Sequence, residues 1–260
     1  MMSSLLNKVV IITGASSGIG AATALEFAKT GARLVLAARN VERLNDVASW
    51  CSAKGLPQEK IFVTSCDITD EENLKSLVGS TLEKYGQIDV LVNNAGSCQI
   101  VSFLNTSAEV FDNIFTINTR APFMLTQMCV PHLKKTEGCV VNVSSYSGQR
   151  SFPHALTYVM SKAALDHFTR TLAVDLAKDK VRVNSVNPGV VVTEFQRRAG
   201  MTEEAYKAYL EKQKELQPLT AAIEPEEVAK VILFLASDQS ASVTGELVFV
   251  DGGRHAKAPV

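Results

Sequence analysis

The chain has 260 residues, of which 46% are apolar and 20% are charged, so it can bury one substantial core but is short for two full domains. Its 26 basic and 27 acidic side chains give a formal net charge of −1, which excludes the broad positive field of a nucleic-acid or membrane-surface protein. No apolar run approaches the roughly 20 residues that cross a bilayer. We therefore expect one domain over residues 1–260, with any bound anion held by local contacts.

Cysteine and histidine usage indicates the compartment and argues against a metal. The five cysteines form no CxxC pair, are odd in number and lie mostly in apolar segments, which is typical of reduced thiols. The four histidines are scattered without a metal-ligand spacing. The first apolar run follows a single lysine and predicts a strand rather than a signal peptide. These features predict a cytoplasmic protein with no metal site.

Seven short runs rich in valine, isoleucine and leucine recur along the chain. They are Lys8–Thr13, Arg33–Ala38, Ile61–Ser65, Ile88–Val92, Cys139–Ser145, Val181–Val186 and Glu246–Val250. The runs are continuously apolar rather than alternating, as expected for parallel strands that helices cover on both faces. Helical patterns fill the intervals. The sequence therefore predicts an α/β fold with a doubly wound, seven-stranded parallel sheet and helices on both faces.

Three of the helical segments carry further expectations. The segment after Asn40 has an apolar stripe that stops near Gly55, and Trp50 beside this stripe is expected in the core. Leu156–Lys178 and Ala121–Leu133 carry apolar residues on more than one face, which suggests packing on a partner subunit as well as on the sheet. The charged stretch Thr202–Leu216 is either a surface helix or part of a movable lid over about residues 194–220.

Three glycines crowd the turn that follows the first predicted strand. Gly14, Gly18 and Gly20 stand between that strand and the helical pattern Ala21–Lys29. Glycine permits a sharp turn and lets backbone N–H groups approach a pyrophosphate at the positive end of a helix dipole. Between a first strand and a first helix, this turn predicts a dinucleotide site.

The GxxxGxG spacing of this turn, together with motifs farther along, resembles the short-chain dehydrogenase/reductase family in its single-domain branch with TGxxxGxG and YxxxK. The further motifs are Asn93-Asn94-Ala95-Gly96, Ser145, Tyr158 with Lys162, Pro188-Gly189 and Asp251-Gly252-Gly253, which follow in family order over essentially the full chain. The resemblance implies a Rossmann-type fold, a nicotinamide cofactor, hydride transfer between a carbonyl and a secondary alcohol, and a homodimer or homotetramer.

The end of the second predicted strand favours NADP(H) over NAD(H). NAD-binding sheets usually place a carboxylate there for the ribose 2′-hydroxyl, whereas this chain has Ala38 followed by Arg39, and a guanidinium suits a 2′-phosphate. The alternative is an exposed arginine without a contact. Besides Arg39, the residues expected to bind the cofactor are those of the glycine turn: Gly14, Ser16, Ser17, Gly18, Ile19 and Gly20. The resemblance adds Asp67 at the adenine amino group, Asn94 at the adenosine ribose, Val191 and Thr193 at the nicotinamide carboxamide, and Gly96, Tyr158, Lys162, Pro188 and Gly189.

Tyr158 and Lys162 lie four residues apart in a helical segment, so both face one way. A phenol titrates near ~10, and an ammonium ~5 Å away at an effective dielectric of ~20 favours the phenolate by roughly 3 kcal/mol, or about two pKa units. We therefore expect Lys162 to bring Tyr158 toward neutrality as the general acid/base. Ser145 is expected to donate a hydrogen bond to the substrate oxygen, with Ser144 as a competitor. Asn118 resembles the family asparagine that interrupts a long helix and helps to hold a water chain to the lysine.

Substrate identity stays open at this stage. Besides Ser145, the expected pocket residues are Gln149, Phe152, His154 and Phe195, although His154 could be a plain loop histidine. Steroids, quinones, 3-oxoacyl thioesters and small ketones all fit the pattern. In the enoyl reductase relatives of the family, six residues separate the tyrosine from the lysine rather than three, so reduction of a carbon–carbon double bond is not expected. The alternative function is an NADP(H)-binding sensor or scaffold without turnover.

Overall fold

A single parallel sheet forms the centre of the molecule. The computed structural model describes residues 5–219 and 222–257, and in them seven strands lie in the order β3-β2-β1-β4-β5-β6-β7. They are β1 (Val9–Thr13), β2 (Arg33–Ala38), β3 (Ile61–Ser65), β4 (Val90–Asn93), β5 (Cys139–Val143), β6 (Arg182–Pro188) and β7 (Leu247–Val250). The predicted doubly wound, seven-stranded parallel sheet is confirmed, and each strand ends within two residues of its predicted bounds.

Helices cover both faces of the sheet and enclose two hydrophobic cores. The side chains of β1 alternate between these cores: Val10 and Ile12 pack with residues of α1, α2 and α9, whereas Val9 and Ile11 pack with residues of α3, α5 and α6. The helices are α1 (Gly18–Ala28), α2 (Val41–Ala53), α3 (Glu71–Tyr85), α4 (Ala108–Phe115), α5 (Ala121–Thr136), α6 (Leu156–Leu176), α7 (Phe195–Arg198), α8 (Glu203–Leu216) and α9 (Pro225–Ala236).

The strand order reverses at β1. Val10 pairs with Leu34 of β2 on one side and with Val90 of β4 on the other, although β4 lies much later in the chain. The connections that leave β1 and β4 therefore diverge to opposite faces of the sheet. Such a switch point opens a crevice at the carboxyl ends of the strands, where ligands bind in open α/β sheets.

The turn after β1 packs directly on the residues that follow β4. Gly14 has a φ of +65°, and a Cβ there would lie 2.9 Å from the Cα of Ala95. A Cβ at Gly20 would lie 2.3 Å from the carbonyl oxygen of Gly14. The Asn94 side-chain amide donates a hydrogen bond of 2.8 Å to the Thr13 carbonyl. Only glycine permits this approach of two backbones.

A chain of buried polar side chains runs along one face of the sheet, from α5 over β4 and β5 to α6. The amide nitrogen of Asn93 donates to Thr126 of α5 at 3.0 Å and to the Asn142 side-chain oxygen of β5 at 2.9 Å. Asn142 in turn donates to the Thr169 hydroxyl of α6 at 2.9 Å. All four groups are almost wholly buried. The chain fixes α5 and α6 relative to the two central strands, because none of its members has water as an alternative partner.

Two helical features differ from the sequence-based expectations. The prediction that Trp50 lies in the core is wrong, since Trp50 is 53% exposed. Its neighbour Cys51 continues the buried stripe of α2, and a step of one residue turns the side chain by about 100° away from that stripe. Helix α8 is not a purely solvated surface helix, because Tyr206 and Gln213 on one face of it are buried.

Apolar side chains remain exposed on the two helices expected at a subunit contact. Phe123 of α5 and Met160 and Val174 of α6 are all exposed, which agrees with apolar residues on more than one face. The dimer or tetramer itself stays a prediction. Among the described residues, no helix is long and apolar enough to cross a membrane, and no group of three or more His, Cys, Asp or Glu side chains is arranged to hold a metal ion.

We predict that Asn142→Ala lowers the free energy of unfolding by about 2 to 4 kcal/mol, because it leaves a cavity and strips Asn93 and Thr169 of a buried partner. Urea unfolding measures this change. Asn45→Ala, at an exposed position of α2, is the matched control and should change stability by less than about 0.5 kcal/mol. Equal losses in the two variants would contradict the role of the buried polar chain.

The glycine packing generates a second prediction. Gly20→Ala should lower the free energy of unfolding by about 3 kcal/mol, because its Cβ would collide with the Gly14 carbonyl of the preceding turn and with the Asn94 amide that is hydrogen-bonded to that turn. Gly79→Ala is the control: a Cβ at Gly79 of α3 meets nothing within 4 Å, so it should raise stability by about 0.5 to 1 kcal/mol. If Gly20→Ala is as stable as Gly79→Ala, the turn does not require glycine.

Candidate active site

A cavity of about 900 Å³ opens at the carboxyl edge of the sheet, at the switch point between β1 and β4. It runs along the glycine turn and past the ends of β2 to β6, and the segment around α7 closes one side. Most residues expected at the cofactor line it: Gly14, Ser16, Ser17, Gly18, Ile19, Arg39, Asp67, Asn94, Gly96, Tyr158, Lys162, Pro188, Gly189, Val191 and Thr193. Gly20 lies beneath the turn and outside the lining.

The amino end of α1 forms part of the cavity wall and suits a phosphate group. Ser17 precedes the helix without capping it through its side chain, and the first turn carries no acidic residue. A Cβ at Gly18 would approach the Thr193 side chain to 3.1 Å, so the far wall of the cavity is close. Uncapped N–H groups and the helix dipole both favour an anion here. The residues present therefore fit the pyrophosphate of a dinucleotide.

A positive charge stands beyond this end of the cavity. The Arg39 side chain is 80% exposed, and its Nη1 lies 4.0 Å from the Asp67 carboxylate. Hydrogen bonds from the Thr69 main chain (3.0 Å) and hydroxyl (2.8 Å) lower the pKa of Asp67, so this side chain is ionised at neutral pH. A surface pair at this distance is weak, and Arg39 is therefore available to another anion.

One ion pair joins α2 to the α7 segment across the cavity mouth, and a second lies within that segment. Glu194 accepts hydrogen bonds from Arg43 of α2 at 2.8 Å and from Arg198 of α7 at 2.7 Å. These bonds, that from Arg43 first, lower the pKa of Glu194. All three side chains are about half exposed and line the cavity. They connect the two walls of its mouth.

The other end of the cavity holds Ser145, which directly follows β5. The Ser145 hydroxyl oxygen accepts hydrogen bonds from the Ser147 hydroxyl at 2.8 Å and from the Ser147 main chain at 3.2 Å. Its own hydrogen is thus left for another acceptor. The neighbouring Ser144 hydroxyl donates to the Lys162 carbonyl at 3.3 Å and so faces α6. This geometry favours Ser145 over Ser144 as the residue that meets a ligand.

Tyr158 and Lys162 lie beside Ser145 on α6. The Lys162 ammonium donates to the Val143 carbonyl at 2.9 Å and lies 5.8 Å from the centre of the Tyr158 ring. The Phe195 ring packs against Tyr158 with 5.9 Å between centres. Gly96 adjoins the ammonium, since a Cβ there would lie in van der Waals contact with it at 3.6 Å. Three of the four residues expected to carry the chemistry, Ser145, Tyr158 and Lys162, thus line one end of the cavity.

Burial has the largest effect on the pKa values of Tyr158 and Lys162. It raises the pKa of Tyr158, an effect that a hydrogen-bonding interaction with Ser145 offsets only in part. It also lowers the pKa of Lys162 to about 8. Burial therefore opposes the expected effect of Lys162 on the pKa of Tyr158, because the argument from spacing left desolvation out.

Asn118 lies behind this group and does not line the cavity. It is fully buried in a π-helical turn, Thr116–Arg120, that interrupts the run from α4 into α5. Its side-chain oxygen accepts from the Ser97 main chain at 2.8 Å, and its nitrogen donates to the Ser97 carbonyl at 2.8 Å and to Ser161 of α6 at 3.0 Å. Asn118 therefore joins the loop after β4 to α6 near Lys162.

The residues expected at the substrate are only partly brought together. Ser145, Phe152 and Phe195 line the cavity, whereas Gln149 and His154 do not. The Gln149 amide donates to the buried Asp166 carboxylate at 2.9 Å, and the exposed His154 instead accepts at its carbonyl from Val101 at 2.8 Å. Gln149 and His154 lie between Ser145 and Tyr158 in the chain, as expected, but their side chains do not line the cavity.

Sequence reasoning missed several residues of this site. Cys98, Tyr146 and Tyr209 line the cavity, and tertiary packing brings them there without a local pattern that could have revealed them. Asp166 lies behind the cavity and did leave a signal, because it follows Lys162 at helical spacing and so shares the face of α6 that carries the lysine.

Comparisons with known proteins agree with this geometry. A family model described as "Enoyl-(Acyl carrier protein) reductase" matches residues 14–255. The chain is 40% identical to the 3-oxoacyl-[acyl-carrier-protein] reductase FabG of Thermotoga maritima over 247 residues, covering 95% of this chain and 97% of that protein. It is 38% identical to the meso-2,3-butanediol dehydrogenase of Serratia marcescens, covering 95% and 94%.

A solved structure extends the likeness to three dimensions. It is a short-chain dehydrogenase/reductase of unknown function from Caenorhabditis elegans, with cofactor, which superposes with a TM-score of 0.93 at 37% identity and covers 98% of this chain and 97% of its own. The motifs, the sheet topology, the sequence matches and this superposition extend over almost the full chain. This chain therefore belongs to the short-chain dehydrogenase/reductase family of oxidoreductases, which act between carbonyl and alcohol groups.

Proposed function

We propose that this protein is an NADP(H)-dependent oxidoreductase that interconverts a carbonyl compound and a secondary alcohol, with Tyr158 as the general acid/base. One observation carries the proposal: a single cavity has an uncapped helix end and Arg39 at one end, and Ser145, Tyr158 and Lys162 at the other. A dinucleotide is long enough to span both ends. The competing function, an NADP(H)-binding sensor or scaffold, would not need the three reactive side chains.

The charge at the end of β2 supports NADP(H). Strand β2 ends at Ala38, so no carboxylate stands where one would hydrogen-bond a ribose 2′-hydroxyl and repel a 2′-phosphate. Arg39 follows, and its guanidinium has only the distant Asp67 carboxylate as an ion-pair partner among the described residues. A planar guanidinium binds a phosphate through two parallel hydrogen bonds.

The side chains at the other end support proton transfer to a carbonyl oxygen. A bound nicotinamide supplies or accepts the hydride at the reacting carbon. Tyr158 keeps its proton at neutral pH, since burial raises its pKa, and it can therefore give that proton to the oxygen. Ser145 can donate its remaining hydrogen to the same oxygen, because Ser147 already occupies its lone pairs.

Lys162 supplies positive charge as the proton leaves the phenol. Its pKa of about 8 leaves the ammonium mostly charged at pH 7. The nearby charge stabilises the phenolate that forms when Tyr158 gives up its proton. The bond to the Val143 carbonyl keeps the ammonium beside the ring. The buried Asn118 holds the adjoining loop, and we assign it the family role of helping to supply protons to Lys162.

The substrate end of the cavity favours an uncharged, apolar carbonyl compound. Aromatic side chains line it: Tyr146, Phe152, Phe195 and Tyr209. Apart from the buried Lys162, the cations of the lining, Arg39, Arg43 and Arg198, lie toward the cofactor mouth. The Arg254 guanidinium stacks on the Tyr146 and Phe152 rings, 4.7 and 5.3 Å from their centres, but does not itself line the cavity. Within the classes left open by the sequence, this environment suits ring-bearing ketones and the apolar part of a 3-oxo compound best.

The α7–α8 segment is proposed to act as a lid over this end, as predicted for residues 194–220, of which residue 220 lies outside the described residues. The Tyr206 hydroxyl of α8 donates to the Thr193 carbonyl at 3.2 Å, and Gln217 accepts from the Val190 main chain at 2.8 Å. These contacts join the segment to the loop that follows β6. We also retain the cytoplasmic location and the homodimer or homotetramer as proposals.

We predict that Tyr158→Phe lowers kcat for carbonyl reduction by at least about 100-fold, because it keeps the ring and removes the proton donor. Loss of NADPH absorbance with a panel of steroid, quinone, 3-oxoacyl and small-ketone substrates measures the rate. NADPH affinity, followed by its fluorescence, should change little. Tyr85→Phe removes a tyrosine hydroxyl from α3, far along the chain from the site, and should leave the rate unaltered.

Two results would contradict this prediction. Full activity in Tyr158→Phe would remove Tyr158 from the mechanism. No turnover by the unaltered protein with any substrate of the panel, despite tight NADPH binding, would favour the sensor or scaffold.

The cofactor preference has its own test. Arg39→Met should lower kcat/KM for NADPH by about 10- to 100-fold, the value of one or two charge-assisted hydrogen bonds, and should leave kcat/KM for NADH within about twofold. Lys54→Met removes an exposed positive charge from the far end of α2 and controls for net charge. An equal loss with both cofactors, or a preference of the unaltered protein for NADH, would contradict the assignment.

A further inference from the structure

Asp166 is a buried carboxylate that the proposed mechanism does not use. It lies on α6, one helical turn after Lys162 and two turns after Tyr158, and is only 1% exposed. Removing a carboxylate from water is costly unless hydrogen bonds or a cation compensate it. The groups around Asp166 show what its charge is placed to do.

A single amide joins Asp166 to Ser145. The Asn187 side chain, at the end of β6, donates to the two Asp166 oxygens at 3.0 and 3.1 Å and to the Ser145 carbonyl at 3.0 Å. Asn187 is fully buried, so water does not compete for these bonds. The two hydrogens of one rigid amide thus hold the main chain of Ser145 at a fixed distance from the carboxylate.

The turn after Ser145 also packs on the same carboxylate. A Cβ at Gly148 would lie 2.4 Å from an Asp166 oxygen and 3.1 Å from the main-chain carbon of Lys162. Gln149 adds a hydrogen bond of 2.9 Å from the next position. The segment from Ser145 to Gln149 therefore lies against α6 at the point where Asp166 is located, with no room for another side chain between them.

The charge of Asp166 acts on the two reactive groups of its own helix. It raises the pKa of Lys162, opposing the larger effect of burial, and it also raises the pKa of Tyr158. Other elements contribute titratable groups that face Lys162 and Tyr158, namely the Cys98 thiol from the loop after β4 and the Tyr209 phenol from α8. Both are neutral at pH 7, since burial raises the pKa of each. Burial raises the pKa of Asp166, and hydrogen bonds from Ser144, Gln149 and Asn187 oppose this rise by stabilising the ionised form. The Asp166 carboxylate is thus the source of negative charge for this cluster.

We propose that Asp166 is a positioning residue for the reaction: through Asn187 it fixes the main chain of Ser145, and its fixed negative charge keeps the buried Lys162 side chain in the ammonium form. The inference rests on the proposed function of Ser145, Tyr158 and Lys162. It adds a second charged position to the face of α6 that carries Tyr158 and Lys162, and the three residues follow one another at a spacing of four.

The test is the pH dependence of carbonyl reduction in Asp166→Asn, measured with saturating NADPH between about pH 6 and 10. Reduction requires a protonated Tyr158 and a charged Lys162, and loss of Asp166 lowers the pKa of both. The alkaline limb of kcat should therefore move to lower pH by about one unit. With the Lys162 pKa at about 8 in the unaltered protein, kcat should fall by about threefold at pH 7.5 and by up to about tenfold above pH 9, whereas KM for NADPH should stay within about twofold.

Asn187→Ala is the matched variant, because it removes the bridge to Ser145 and leaves the charge. It should lower kcat without moving the alkaline limb, and a limb that moves as in Asp166→Asn would overturn the separation of the two effects. If Asp166→Asn unfolds, Asp166→Ser also lacks the charge, leaves room for a water and provides the same measurement. Urea unfolding of each variant establishes that it is folded.

The outcomes distinguish this inference from the proposed function. An alkaline limb of Asp166→Asn or Asp166→Ser that coincides with that of the unaltered protein overturns the role of the charge. A wild-type kcat in Asn187→Ala overturns the positioning of Ser145. If the unaltered protein turns over no carbonyl substrate, the proposed function fails first. A smaller kcat in the Asp166 variants with an unchanged limb would mean that the residue is structural only.

Discussion

The position of α6 against β5 is the constraint on which the site depends. This helix carries Tyr158, Lys162 and Asp166 on one face, and a rotation of one residue would turn all three by about 100°. Two buried contacts fix the rotation: the hydrogen bond from Asn142 to Thr169 and the bond from the Lys162 ammonium to the Val143 carbonyl. Both partners on β5 are part of the sheet, so the rigid centre of the fold determines where the phenol points.

Burial of the reactive end has two opposing electrostatic effects. It keeps the Tyr158 proton in place and makes the Lys162 proton easier to lose, since the charged form of each is less well solvated than in water. The first effect suits a proton donor for carbonyl reduction. The second would remove the cation that we propose stabilises the phenolate, and the buried Asp166 carboxylate one turn away opposes this loss. The pKa values of Tyr158 and Lys162 therefore depend on the balance between desolvation and the charge of Asp166.

Much of the fold and part of the site could be predicted from the sequence. Continuous apolar runs identified every strand, because parallel strands that are covered on both faces carry apolar residues at successive positions. The directions of individual side chains were harder to predict. Trp50 adjoins the apolar stripe of α2 but faces solvent, and the turn after β5 directs Gln149 onto Asp166 rather than into the cavity. The protonation of Tyr158 also needed the structure, because spacing reveals a neighbouring charge but not the loss of water around it.

The register of β1 with β4 also bears on how the chain is made. Val10 pairs with Val90, so about eighty more residues must be synthesised before both edges of the first strand can be covered. A nascent chain can complete only the β1–β2–β3 half, and during that interval one edge of an apolar strand is open to wrong partners. Non-local parallel pairing is slow to form. The crevice lies at that same junction, so it is complete only when the two halves of the sheet have joined.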